Sequence, residues 1–188
     1  MEKIDTSPEE EAVKDEARQF MLGLVGPADA EEVVAAAEST ADGTEIVKAW
    51  KSIYTGKDND KEVKFWSAYD PIAMSIWTMS YDEADSNEDL EQTIDIVSNY
   101  MRHSGMKSIQ HECFGVIHVL DNLEIEGLWL FNGSDPEKMF GANAESSWYT
   151  WNRMGPEATD LVKQSVESFL MPKDGKLNGH TITDTKIF

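Results

Sequence analysis

The chain has 188 residues, enough for one domain or one domain with an arm, and its formal net charge is -20. A field this acidic repels phosphate backbones and anionic membranes, so direct nucleic-acid binding and membrane insertion are excluded as first readings, and basic protein surfaces are the favoured partners. With 40% hydrophobic and 10% aromatic residues the chain can still build a full core.

Residues 1–45 carry about half of the net negative charge and no Trp or Tyr. They read as an acidic helical arm. Ser7 is placed as an N-cap, Pro8 at the first turn and Glu10 for a capping box. Ala12, Val13, Ala17, Phe20, Met21 and Leu24 recur at helical spacing, and a second helix is expected from Pro27 through Val33–Ala37. The first five residues lack the basic start and apolar stretch of a signal peptide. Gly43 then breaks the chain before Thr44, which caps a helix carrying Ile46, Val47, Trp50 and Ile53.

Residues 46–188 read as the main domain. Lys57–Asp60 is a polar turn. Met74–Tyr81 alternates partly in period two and predicts a strand. Ser86 caps a helix with Leu90, Ile94, Val97 and Met101 on one face, ended by Gly105. His111–Leu120 and Ile125–Phe131 form an antiparallel hairpin around Asp121-Asn122, and Asn132-Gly133 turns the chain again. A strand at Trp148–Trp151 follows. After Pro156 comes a helix with Leu161, Val162, Val166, Phe169 and Leu170, and then a polar tail up to Ile187-Phe188. The mixed order of helices and strands predicts an α+β fold, an antiparallel sheet flanked by helices.

No constellation of catalytic residues stands out. His111, Cys113 and His118 are close in sequence, but strand alternation puts His118 opposite the other two, and no paired cysteines or helical His-x-x-x-His support zinc. Phosphate-binding, dinucleotide-binding and nucleophile-elbow motifs are missing, so no cofactor is expected. The single Cys113 cannot form an internal disulfide and points to a reducing compartment. Most of the aromatic residues are expected to fill the space between sheet and helices. The remaining reading gives Trp77, Trp129, Trp148 and Trp151 a surface role, as flat contact area for a protein or peptide. Alternation on a regular strand would put Trp148 and Trp151 on opposite faces. An aromatic-lined pocket for a small ligand is a third possibility, which requires convergent polar groups.

The ordered blocks Trp50-Lys51-Ser52-Ile53-Tyr54, Phe65-Trp66, Ser75-Ile76-Trp77, Gly127–Phe131, Tyr149–Arg153 and Lys186-Ile187-Phe188 are similar to the C-terminal domain of the gamma subunit of translation elongation factor 1B. The resemblance spans about residues 47–188. It implies an antiparallel sheet flanked by helices and a non-catalytic scaffold in the cytoplasm, with other elongation factor 1 subunits as partners. Family members carry a glutathione-transferase-like domain ahead of this one, and residues 1–45 are too few to be such a domain. A stand-alone adaptor or accessory subunit of another assembly, docking through the arm, is therefore the alternative expectation.

Overall fold

The computed structural model describes residues 43–188. The helices expected around Ser7–Leu24 and from Pro27 lie outside the described residues. The described part belongs to one unit, Ala41–Phe188.

Helix α1, Gly43–Thr55, buries Ile46, Val47 and Trp50, as their spacing requires. Gly43 is the first described residue of this helix, where a Cβ would collide with the Asn132 side chain, and Thr44, expected as its cap, lies within the helix. Helix α2, Lys61–Ala68, follows the expected polar turn and buries Phe65. Strand β1 is Met74–Tyr81. Helix α3, Leu90–Arg102, is capped by Asp89 rather than Ser86: the Asp89 carboxylate accepts from the Gln92 N–H at 2.8 Å. The Ser86 hydroxyl closes a separate 3-10 turn instead, donating to the Glu83 carbonyl at 2.7 Å. Leu90 is partly exposed, and the buried face is made by Thr93, Val97, Ser98 and Tyr100. The helix stops at Arg102, ahead of Gly105, which belongs to the 3-10 segment Ser104–Ile109.

Strands β2, Cys113–Leu120, and β3, Ile125–Asn132, form the expected hairpin. His111 lies on the turn before β2, so its predicted strand position does not hold. Helix α4, Glu137–Ala142, and a 3-10 segment, Ala144–Trp148, lead into β4, Tyr149–Met154. Helix α5, Asp160–Leu170, is capped by Thr159. Leu161, expected on its apolar face, is 77% exposed. The tail read as polar and turn-rich is instead a hairpin of β5, Lys176–Leu177, and β6, His180–Ile187.

The six strands form one antiparallel sheet in the order β4-β1-β3-β2-β6-β5, which makes the fold α+β as expected. Both faces are packed. On the first face α1, α2 and α5 enclose Met74, Ile76, Phe114, Val116, Leu128 and Leu130. On the second, α3, α4 and the 3-10 segments enclose Met79, Cys113, Ile117, Trp129 and Phe131. β2 is buried along its whole length because it faces a core on each side, and this is why it reads as an unbroken apolar run.

Candidate protein-interaction surface

Trp129 is fully buried at the middle of the second face. Its cross-strand neighbour on β2 is Gly115, and a Cβ there would overlap the indole. The glycine thus makes room for the ring, which packs against Phe188, Phe131, Trp151 and Tyr100 with centroids 5.5–6.5 Å apart. Trp129 is the floor of an aromatic layer and presents nothing to solvent.

Trp77 and Trp151 stand above that floor at its edge. On β1, Trp77 is opposite both Trp129 and Arg153, and its indole N–H donates to the Ser75 hydroxyl at 3.0 Å. On β4, Trp151 is opposite Met79; its ring lies 5.9 Å from Phe140, and its N–H donates to the Ser146 carbonyl at 2.9 Å. Both indoles are half-buried, with their polar atoms satisfied inside the protein and their ring surfaces partly open. Trp148 is 53% exposed and ends the 3-10 segment before β4. Regular alternation therefore starts at Tyr149, which shares the second face with Trp151 and is buried. Of the four tryptophans singled out from sequence, three share this face: one as floor, two at the rim.

Two contributors escaped the sequence reading. Phe140, 39% exposed, comes from the short helix α4, which has no strand-like or long helical pattern to reveal it. Arg153 is exposed on the same face of β4; the Asp135 carboxyl is held below its ordinary range by the backbone N–H of Glu137 and the Ser134 hydroxyl, then by the charges of Lys138 and, last, Arg153. At the other end of β4, Glu145 lies near Tyr81 and Tyr149, and the Asp82 carboxylate accepts from the Thr150 hydroxyl at 2.6 Å. Burial raises the Tyr100 and Tyr149 hydroxyls well above their usual range, so both stay protonated. The surface has an acidic end, an aromatic middle and a cationic end.

His118, Cys113 and His180 each have a structural partner. On the first face, burial holds the His118 imidazole below its ordinary value; Nε2 donates to the Phe169 carbonyl at 2.8 Å and Nδ1 accepts from the Thr185 hydroxyl at 2.8 Å. Burial pushes the Cys113 thiol up to about 12, and Sγ donates to the Ile109 carbonyl at 3.6 Å. His180 pairs with Asp121 at 3.1 Å on the surface. Among the described residues no three His, Cys, Asp or Glu side chains gather as metal ligands, and no helix is long and apolar enough to cross a membrane.

A family model described as "Elongation factor 1 gamma, conserved domain" matches residues 33–135, just over half of the chain. The matched stretch contains β1, the β2–β3 hairpin, Trp77 and Trp129; β4 and everything after it lie beyond the match. No curated protein matches the chain.

Proposed function

The chain belongs to the elongation factor 1 gamma conserved-domain family, and on that premise we propose that it is a non-catalytic protein-interaction domain acting in translation elongation. The observation that carries this reading is the open aromatic rim made by Trp77, Trp151 and Phe140 beside Arg153. Tryptophan and arginine at the margin of a packed aromatic layer are the residue types that dominate binding energy in protein interfaces. The electrostatics favour the same conclusion. Cys113 is held as a neutral buried thiol and both ring nitrogens of His118 are engaged, so neither is poised as nucleophile or base.

The working partners in this proposal are other elongation factor 1 subunits in the cytoplasm, where the domain acts as scaffold rather than as exchange catalyst. Affinity purification of the endogenous protein, with intact mass and partner identification, tests it. Elongation factor 1 subunits are the expected partners. Recovery of an unrelated assembly in their place would make the chain an accessory subunit of that assembly and would remove the elongation role.

A further inference from the structure

We infer that β4 is a docking edge for an extended segment of a partner protein, with a lysine or arginine at the end that meets Tyr149; the segment adds to the sheet antiparallel to Tyr149, Trp151 and Arg153. This rests on the interaction reading above and names the partner's chemistry.

The backbone supplies the first argument. The Gly133 N–H donates to the Ala73 carbonyl at 2.8 Å, so the odd-numbered residues of β1 bond toward β3. The Asp82 N–H donates to the Trp148 carbonyl at 3.1 Å, so the even-numbered residues of β1 bond toward β4. Alternation then fixes β4: Thr150, Asn152 and Met154 turn their N–H and C=O groups to β1, and Tyr149, Trp151 and Arg153 turn theirs outward. β4 is the outermost strand, and among the described residues no strand pairs with its outer side. It has no proline and no register shift against β1, two of the usual devices that blunt an edge. The three residues with outward backbone groups are the same three whose side chains stand on the aromatic face. One added strand would therefore meet the hydrogen-bonding edge and the aromatic rim together, the arrangement by which sheets capture extended peptides.

Charge selects the occupant. At the Arg153 end Lys138 and Arg153 flank Asp135, whereas the Tyr149 end is bordered by Glu145, Glu83 and Asp82. A second copy would bring another chain of net charge -20 to this acidic border. A segment with a cation at that end complements it. Antiparallel pairing also fixes the order: reading the segment from its N-terminus, a neutral or acidic residue faces Arg153, an apolar one faces Trp151, and a lysine or arginine faces Tyr149 and Glu145.

The test uses the full chain and a blocked seven-residue peptide that alternates threonine with glutamate, leucine and lysine in that order. Amide exchange is followed by NMR with and without peptide. Without peptide, the Trp151 and Arg153 amides exchange faster than those of Thr150 and Asn152; peptide slows them. Arg153→Pro removes an outward N–H but no bond to β1, so it leaves the melting temperature unchanged and abolishes binding. Glu145→Lys shifts preference by about fivefold toward the peptide with lysine and glutamate exchanged, the ratio expected of one exposed ion pair. Fast exchange at Trp151 and Arg153 in saturating peptide overturns the proposal. So does protection without peptide: if it depends on protein concentration the occupant is a second copy, and if it does not, the chain covers its own edge. If Arg153→Pro protein captures elongation partners as well as the native chain, the edge is not their site and the scaffold reading survives. If the native chain captures none while the peptide still protects β4, the elongation reading fails and the docking edge stands.

Discussion

On the first face of the sheet, Trp50 packs against Phe65, Trp66 and Tyr69, all within twenty residues of it. On the second face, Trp129 packs against Phe131 of its own strand β3 and against Tyr100, Trp151 and Phe188, which arrive on α3, on β4 and just after β6. The first cluster is local in sequence: its aromatic contacts form when α1 and α2 come together, and α5 closes over Trp66. The second exists only when four distant segments meet, so it records closure of the whole sheet. The local cluster has helices on its outer side, whereas the long-range one ends at an edge strand, and there the aromatic layer reaches solvent. Core and candidate surface are thus one continuous layer on the second face.

The largest test of this contrast is Trp129→Ala. It is expected to cost about 3–5 kcal/mol in urea denaturation and to lower amide protection across β1, β2, β3 and β4 together. Trp50→Ala, of similar cost, should lower protection in α1 and α2 first. Identical protection losses in the two variants would erase the distinction. Gly115→Ala is next, at about 1–3 kcal/mol, because the new methyl must displace the Trp129 ring; an unchanged midpoint would show that the ring can yield.

The first face carries the pH response. His118 is neutral when folded, with its protonation constant held below that of the unfolded chain by burial. Between those two values the unfolded chain binds more protons, so stability is full above the unfolded value near 6.5 and declines as pH falls below it, by at most about 1.4 kcal/mol per pH unit. Glu126, opposite His118 in register, has its carboxyl raised by burial and acts in the other direction at lower pH. Denaturant midpoints measured between pH 7 and pH 5 should fall, and His118→Gln should flatten that fall; an equal slope in both proteins would assign it to other groups. The smallest effect is expected for Trp148→Ala, within about 0.5 kcal/mol by thermal melting, since the side chain is more than half exposed.

Much of the fold was legible because short-range periodicity dictates it. The β2–β3 hairpin is two apolar runs around a polar turn, and α1 and α5 follow from helical spacing. What escaped depends on neighbours far along the chain. In β6 the positions between exposed ones are His180, Ile182, Asp184 and Lys186, only one of them apolar, so the strand has no hydrophobic period to read. The fate of each tryptophan was equally hidden. Trp129 and Trp151 lie in similar aromatic strands, yet one strand is interior and the other is an edge, a difference set by sheet order rather than by either segment. The helix cap moved from Ser86 to Asp89 because both side chains suit the role, and local geometry chose the nearer one.

Cys113 gives this chain a clock. It is the only thiol, it lies in the second-face core, and with its protonation constant near 12 almost none of it is thiolate at neutral or mildly alkaline pH. Alkylation therefore waits for that core to open, and the labelling rate counts the openings. A reagent and a mass measurement would time the breathing of the aromatic layer, in the native chain and with a partner seated on it, with no probe introduced.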